Sequence, residues 1–287
     1  MHTLAEARLQ AGAESAALSQ GVTAYHVVGD HGPWVVLVHG LVTPSYAWES
    51  LAEVLAGHGF RVLRYDHLGR GLSDRPPIRY DLDLYVAQLR ELVDHLGIET
   101  MHLIGWSMGG VIVTRFAAEE PERVASIALI APALYVGGAL THLGKLLLRL
   151  PGAAKLLAGR IGYVVDRLDR EHLSRPEQFP DYNQRAREQL QFPGIAESFA
   201  STVINFPVNA GDRWAGVGRH LRPVLVVWGT RDSAAPYANS GPVSRLFPRS
   251  ELLTVEGAKH APHLDHQDVV FPAILRHLTA GGRPDAK

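Results

Sequence analysis

The stretch that decides the fold is MHLIGWSMGGVIV, residues 101–113. Its first half, residues 101–106, is an apolar run with the length and composition of a buried strand. A helical pattern begins at Met108, so the chain changes from strand to helix at Ser107. Gly105 and Gly109 permit a turn tight enough to expose the serine hydroxyl, the G-x-S-x-G pattern of a nucleophile at a sheet edge. Ser107 is therefore the candidate nucleophile.

Six further apolar runs, rich in Val, Leu and Ile, occur at long intervals along the chain. They cover residues 22–28, 34–39, 60–65, 124–130, 224–228 and 252–255. Helical patterns lie between them, at residues 46–56, 82–96, 108–118, 237–247 and 268–278. Strands that alternate with helices predict an α/β fold built on a doubly wound, mostly parallel sheet.

One region interrupts this alternation. Residues 133–218 contain no strand pattern, and segments such as LTHLGKLLLRL and RIGYVVDRL look like short amphipathic helices punctuated by prolines. We predict a helical cap over residues 133–218, inserted into a core of residues 21–132 and 219–287. Residues 1–20 read as a polar, Ala-rich helix or a frayed terminus, an extension outside that core.

Composition excludes several classes of protein. The 287 residues are 46% hydrophobic and carry a net charge of -1, which gives no electrostatic reason to expect nucleic acid or an anionic membrane as a partner. The chain has no cysteine, so a disulfide, a thiolate metal site and a cysteine nucleophile are impossible. It has no run of about 20 apolar residues that could span a membrane and no signal-peptide pattern at its start, so we expect a cytoplasmic location.

A serine hydroxyl is a weak nucleophile and needs a base, which an acid in turn orients. Asp232 follows the predicted strand PVLVVWG, and His260 follows ELLTVEG. Both therefore come just after a strand, as Ser107 does. His260 would take the serine proton, and Asp232 would fix its tautomer. Two alternatives stay open: Asp232 could cap the next helix, and His263 or His266 could replace His260.

The same segment also has the spacing of a metal site. His260, His263, Asp265 and His266 could act as ligands, but a triad accounts for His260 better. We therefore expect no metal and no cofactor.

Acyl chemistry also needs donors for the oxyanion that develops on the substrate. The N–H of Met108, directly after the nucleophile, is one candidate. The N–H of Leu41, in the loop after the strand of residues 34–39, is the other, with Val42 as an alternative. We expect the His39 side chain to be structural.

A further glycine-rich loop follows residues 60–65. Asp66 could act there as an acid and Arg70 as an anion binder, but we expect the loop to be structural as well.

These motifs together resemble the α/β-hydrolase family, in particular its capped esterase-like members. The matching segments are LVHGL, RYDHLGRGLSD, GWSMGG, WGTRDSAAP and GAKHAPHLD, in the family's order, over roughly residues 25–278. The order serine, acid, histidine is that of the family. The resemblance implies the same fold, an acyl-serine route and no cofactor.

Differences from the motifs of particular subfamilies reduce the number of candidate reactions. Ser107 stands where haloalkane dehalogenases and epoxide hydrolases have an aspartate, and dienelactone hydrolases need a cysteine. Carbon–carbon hydrolases usually have Gly-Pro-Gly where this chain reads LVTPSYAW. A carboxylesterase or lipase-like activity on a small hydrophobic ester is the leading hypothesis. Carbon–carbon hydrolysis of a diketone and a low-turnover ligand-binding or biosynthetic role are the alternatives.

The cap is expected to line the substrate pocket. Trp106, Leu134, Tyr135 and Phe199 are the candidate substrate-binding residues. Further apolar cap residues are Leu140, Leu143, Leu147, Phe192 and Phe206. Apolar linings suit an acyl chain, although each of these side chains could equally pack the cap against the sheet. The sequence does not indicate an oligomeric state.

Overall fold

The structure, a computed structural model, describes residues 3–135, 150, 152–207 and 223–281. Eight strands in these residues form one sheet. They are β1 (Glu14–Leu18), β2 (Gly21–Val28), β3 (Trp34–Val38), β4 (Arg61–Tyr65), β5 (Met101–Trp106), β6 (Val124–Ile130), β7 (Val224–Gly229) and β8 (Ser250–Val255). The seven strands expected from the sequence are all present, with their ends shifted by at most two residues.

The sheet is mostly parallel, as predicted. Its strand order is β1-β2-β4-β3-β5-β6-β7-β8. The pairs β1–β2 and β2–β4 are antiparallel, whereas all pairs from β4 to β8 are parallel. The carboxyl ends of β3, β5, β7 and β8 therefore meet along one edge of the sheet, where ligands bind in folds of this kind.

The helices in the described residues cover both faces of the sheet. They are α1 (Leu4–Gln10), α2 (Glu49–Gly57), α3 (Leu82–His95), α4 (Met108–Glu119), α5 (Ala153–Ala158), α6 (Ile161–Val165), α7 (Leu168–His172), α8 (Tyr182–Glu188), α9 (Ile195–Asn205), α10 (Ser240–Leu246), α11 (Pro262–Asp265) and α12 (Gln267–Gly281). Short 3₁₀ turns lie at Ser45–Trp48, Pro121–Arg123, Pro176–Gln178, Gln189–Gln191 and Tyr237–Asn239.

Alternate residues of each central strand enter two different cores. In β3, Val36 and Val38 pack with α3, α4 and α10, whereas Val35 and Leu37 pack with α2 and α12. Full burial of a Val or Leu side chain contributes about 1.5–3 kcal/mol. A strand with two buried faces can therefore be apolar throughout, which explains why these runs lack polar alternation.

Local signals begin and end helix α3. The Asp81 side chain accepts a hydrogen bond from the Leu84 N–H at 3.1 Å and so caps the start of α3. Gly97, with φ +65°, follows the end of the same helix.

The N-terminal segment agrees with the expectation of a helix or a frayed end only in its first part. Residues 4–10 are helical, with a capping box between Thr3 and Glu6. Residues 14–18, however, form the edge strand β1, which pairs with β2 from Glu14–Tyr25 to Leu18–Gly21. The segment ESAAL has little β-propensity, so pairing with β2 rather than local preference makes it a strand. This part of the predicted extension thus belongs to the sheet.

Between β6 and β7 the described residues contain no strand, only helices α5 to α9 and two 3₁₀ turns. They rest on the carboxyl edge of the sheet through specific contacts. Arg185 forms two hydrogen bonds with Glu49, both 2.7 Å, and Ser198 of α9 bonds Arg70. The division into a core and a cap of residues 133–218 stays a prediction, since part of that range lies outside the described residues. No helix in the described part of the chain is long and apolar enough to cross a membrane.

Candidate active site

The three candidate triad residues lie at the carboxyl edge of the sheet. Ser107 directly follows β5, and Asp232 and His260 lie shortly after β7 and β8. The structure places His260 Nδ1 2.8 Å from Asp232 Oδ2. Ser107 and His260 line the same cavity, of about 310 Å³. Among the described residues no hydrogen bond joins Ser107 to His260; such bonds often tighten only when substrate is bound.

The backbone of Ser107 is strained. Its φ of 54° and ψ of -116° are unusual for any residue other than glycine, and a conformation of this kind costs about 1–3 kcal/mol. Three backbone hydrogen bonds hold it: the Ser107 N–H donates to Ile130 O, and its carbonyl accepts from Gly110 and Ala133. The strain presents the side chain at the cavity, beyond the end of β5.

The two glycines of the G-x-S-x-G pattern are needed because there is no room for a side chain at either position. A Cβ on Gly105 would lie 2.6 Å from the Gly109 carbonyl oxygen, and one on Gly109 would lie 2.1 Å from the Val38 carbonyl oxygen. Such contacts are far too close. The turn can therefore bring α4 against β3 and β5 only if both positions lack a side chain.

The two carboxylate oxygens of Asp232 have different partners. Oδ1 accepts hydrogen bonds from the N–H groups of Ala234 and Ala235, at 2.9 and 2.8 Å, and Oδ2 faces His260. The side chain is fully buried. Asp232 does not cap a helix, because the next helical turn begins only at Tyr237. The turn that follows Asp232 instead holds the carboxylate and directs its second oxygen to the imidazole.

Trp106 holds the backbone on the other side of the histidine. Its Nε1 donates to the His260 carbonyl at 2.8 Å. With Nδ1 and the carbonyl of His260 both held, the remaining nitrogen, Nε2, is the one available to Ser107.

The loop after β3 is held through its carbonyl groups. Four consecutive carbonyl oxygens accept hydrogen bonds from side chains. The pairs are His67 Nε2 to His39 O (3.0 Å), His39 Nδ1 to Gly40 O (2.8 Å), Arg70 Nε to Leu41 O (2.6 Å) and Gln189 Nε2 to Val42 O (2.8 Å). The N–H groups of Leu41 and Met108 donate to no described residue. Leu41 lines the cavity, and Met108 begins α4, where the helix dipole favours negative charge.

His39 is structural, as expected. Its Nε2 accepts from the His67 N–H at 3.0 Å while Nδ1 donates to Gly40 O, so neither nitrogen is left for proton transfer. Burial lowers the pKa of His39 to about 3 and keeps the ring neutral. His67, packed against it, also has its pKa held well below the usual value by burial.

Asp66 and Arg70 also have structural partners. Asp66 accepts hydrogen bonds from the Ser45 and Leu72 N–H groups, each 2.8 Å long, and so ties two loops together. Arg70 is completely buried and has no carboxylate partner among the described residues. Besides Leu41 O, it donates to Gly69 O, Ser198 Oγ and Thr202 Oγ1. This arginine therefore joins the loop after β3 to helix α9.

Of the four predicted substrate-binding residues, the structure places one at the cavity that Ser107 lines. Trp106 lines the cavity with Ser107. Leu134 and Phe199 are buried in the two cores, as Trp106 also is, but neither is among the described residues that line this cavity. Tyr135 lines a separate surface cavity. Leu134 packs with the sheet because the chain leaves β6 only four residues earlier. Phe192 and Phe206 are buried, and Leu140, Leu143 and Leu147 lie outside the described residues.

His172 was missed by the sequence analysis. It ends α7 in the cap, lines the cavity, and lies with its ring centre 5.2 Å from those of both Trp106 and His260. No motif surrounds it, and it is one of 15 histidines, so only its position in space identifies it.

The alternative metal site does not assemble in the described residues, which contain no group of three or more His, Asp or Glu side chains that could hold an ion. Asp265 instead accepts hydrogen bonds from Ser174 and Arg175 of the cap and from His266. His263 packs between Trp48, which is tilted against it with ring centres 4.5 Å apart, and Trp106, which meets it edge to face at 4.9 Å.

Known proteins share both the sequence pattern and the fold. The chain is 28% identical over 250 residues to a pimeloyl-[acyl-carrier protein] methyl ester esterase of Aeromonas salmonicida, covering 86% of this chain and 95% of the relative. It is 29% identical over 250 residues to a non-heme chloroperoxidase of Streptomyces lividans, covering 84% and 90%. The crystal structure of an enol-lactonase from Burkholderia xenovorans superimposes with a TM-score of 0.77 at 24% identity, over 93% of this chain and 100% of that one.

A model of the α/β-hydrolase fold family matches residues 33–267, which span the nucleophile turn, the loop after β3 and the segment that carries Asp232 and His260. The match covers most of the chain and agrees with the sheet order and the strained serine turn. The protein therefore belongs to the α/β-hydrolase fold family.

Proposed function

We propose that this protein is a serine hydrolase that cleaves carboxylic esters through an acyl-serine intermediate. The observation that carries the proposal is the shared cavity: Ser107 on its strained turn and His260, held by Asp232, open onto the same space. The esterase among its relatives is in keeping with this reaction.

In the proposed mechanism, His260 Nε2 takes the proton of Ser107 while the serine oxygen attacks the ester carbonyl carbon. The oxyanion that forms accepts hydrogen bonds from the N–H groups of Leu41 and Met108. Collapse of this intermediate expels the alcohol, which receives the proton from His260, and leaves the acyl group on Ser107. Water, deprotonated by His260, then attacks the acyl group and releases the acid and the free serine.

The cavity favours an ester of modest size. Its volume of about 310 Å³ is at the lower end of small-molecule pockets. The apolar side chains that line it are Leu41, Val42, Trp106, Val164, Leu168 and Ala234. These surfaces fit a short or medium hydrophobic acyl or alcohol group.

The test is turnover of p-nitrophenyl esters of increasing acyl length by the wild type and by Ser107→Ala. We expect activity in the wild type, falling when the acyl chain exceeds the cavity, and a loss of about 10³-fold or more in the variant, since the nucleophile is removed. Circular dichroism and thermal unfolding check that the variant is folded. Ester turnover by folded Ser107→Ala at the wild-type rate would contradict the proposal. Absence of turnover on every ester would favour carbon–carbon hydrolysis or a binding role.

The chloroperoxidase relative favours a second candidate reaction of the same acyl-serine. Hydrogen peroxide in place of water would attack the acyl group and release a peracid, which could then oxidise a halide. Bromination of a dye in the presence of acetate, peroxide and bromide measures this reaction. It should be lost in Ser107→Ala, like ester turnover, because both need the same nucleophile.

A further inference from the structure

The polar residues of the cap that line the cavity differ in position. Arg167 and Glu171 are exposed at the rim, where they bond Tyr163 and Ser233. His172 lies deeper and is half-buried, beside His260. It is thus the cap side chain best placed to meet a substrate next to the reacting carbonyl.

The ring of His172 is fixed from one side by hydrogen bonds. Its Nδ1 lies 2.8 Å from the hydroxyl of Tyr182, which is itself 3.1 Å from Thr43 Oγ1 in the loop after β3. Tyr182 is completely buried. The chain of three groups therefore connects the cap histidine to the loop that carries Leu41.

The backbone around His172 is fixed as well. Its carbonyl accepts a hydrogen bond from the Ala261 N–H at 3.0 Å, next to His260. Ser174 and Arg175, which follow shortly after His172, donate hydrogen bonds from their N–H groups to the buried carboxylate of Asp265. The Ser174 hydroxyl donates to the same carboxylate. A side chain held in this way loses little entropy when it binds a ligand.

The other ring nitrogen, Nε2, remains open on a side chain that lines the cavity. Nε2 has no hydrogen-bond partner in the described part of the chain, and it is not one of the side-chain atoms sealed from solvent. Burial and the neighbouring His260 hold the pKa of His172 well below its usual value, so the ring is neutral. A neutral imidazole does not attract a carboxylate by charge, but it can bond a hydroxyl or a carbonyl.

We propose that His172 is a specificity-determining residue whose Nε2 hydrogen-bonds a hydroxyl or carbonyl group of the substrate beside the scissile ester. The inference rests on the proposed ester hydrolysis and names the class of ester: one that carries a polar oxygen near the reacting bond within an otherwise hydrophobic group.

The test uses two pairs of esters that differ only in a hydroxyl and a methyl group. Methyl 3-hydroxybutyrate and methyl 3-methylbutyrate test the acyl side, and 2-hydroxypropyl and isobutyl butyrate test the alcohol side. A hydroxyl both donates and accepts, so the tautomer of His172 does not affect the comparison. Acid release in a pH-stat gives kcat/KM for the wild type and for His172→Phe, which keeps a ring but has no nitrogen.

We expect His172→Phe to lose about 3- to 10-fold in its preference for the hydroxy ester in at least one pair, the usual effect of one neutral hydrogen bond. His172→Gln, which can still form hydrogen bonds, should keep part of the preference. Tyr182→Phe, which keeps the imidazole but frees Nδ1, should lose less than His172→Phe. Val164→Ala is the matched control, because it changes the cavity from the same cap without removing a hydrogen bond, and should affect both esters of a pair equally.

An unchanged preference in both pairs, in folded His172→Phe, contradicts the inference while leaving the proposed function intact. Should His172→Phe not fold, His172→Leu takes its place, because it also lacks a hydrogen-bonding group, and an unchanged preference in folded His172→Leu has the same meaning. A wild type without ester turnover contradicts the proposed function instead. In that case calorimetry measures how tightly the same esters bind to Ser107→Ala and to Ser107→Ala/His172→Phe. If both proteins prefer the hydroxy ester to the same extent, the role proposed for His172 is overturned.

Discussion

At the scale of single residues, Asp232 shows how one carboxylate is oriented toward the proposed catalytic base. Its Oδ1 is held by two backbone N–H groups, so the direction of Oδ2 toward His260 is decided before any substrate binds. A carboxylate in this position favours the tautomer of His260 with the proton on Nδ1, and in the proposed mechanism it stabilises the imidazolium.

Asp232→Asn should therefore lower kcat by about 10⁴-fold with little change in fold. The amide oxygen can still accept from Ala234 and Ala235, which leaves the amide N–H₂ facing His260 Nδ1 and favours the wrong tautomer. Ester kinetics and thermal unfolding measure the two effects. A folded variant with kcat within tenfold of the wild type would show that Asp232 does not orient the base.

At the scale of elements, the loop after β3 depends on side chains from elsewhere in the chain. Its carbonyls are held by His67 and Arg70 from the loop after β4 and by Gln189 from the cap. Arg70 is unusual because its buried charge has no carboxylate partner in the described residues and is satisfied by neutral oxygens alone. A buried guanidinium is costly to maintain, and its contact with Leu41 O gives it a role in holding the proposed oxyanion donor.

Arg70→Met should lower kcat for esters by about 10- to 100-fold while KM changes little, because a misplaced oxyanion donor affects the transition state more than the bound substrate. Arg75→Met is the matched control. Arg75 lies in the same loop and bonds Ser73 O and Gly71 O rather than the loop after β3, so kcat should stay near the wild-type value. Equal losses of kcat in the two variants would refute the positioning role of Arg70.

At the scale of the whole molecule, buried neutral histidines make stability depend on pH. His102 lies in β5, where its Nδ1 is 2.8 Å from Ser126 Oγ, and burial lowers its pKa to about 4. Burial also lowers the pKa values of His39 and His263, each to about 3. The unfolded chain binds protons at these residues near pH 6.5, whereas the folded chain does not. The stability that these neutral histidines contribute is therefore fully present above pH 6.5 and is lost as the pH falls, down to about 4 for His102 and about 3 for His39 and His263.

For His102 alone the loss should be about 2 kcal/mol between pH 7.5 and 5.0, given 1.36 kcal/mol per pKa unit. Urea unfolding at the two pH values measures the drop in the free energy of unfolding. His102→Gln should lower stability at pH 7.5 but show a drop smaller by about this amount. A drop as large as that of the wild type would mean that His102 does not titrate in this range.

Much of this protein follows from local sequence. Seven of the eight strands, the helices between them and the strained turn at Ser107 follow from apolar runs, capping residues and glycine positions, all of which act over a few neighbouring residues. The candidates Asp232 and His260 follow from their places just after strands, because parallel strands bring their carboxyl ends to one edge.

Only the tertiary structure decided the rest, because the deciding contacts join residues far apart in the chain. Strand β1 exists through its pairing with β2 and not through the preference of ESAAL. Leu134, Phe199 and Trp106 are all apolar and all buried in the cores, yet of the three only Trp106 also lines the cavity, and no local pattern distinguishes it. His172 and His260 are 88 residues apart in the chain. They become neighbours only because hydrogen bonds to Asp265 and from Ala261 hold the cap against the sheet edge.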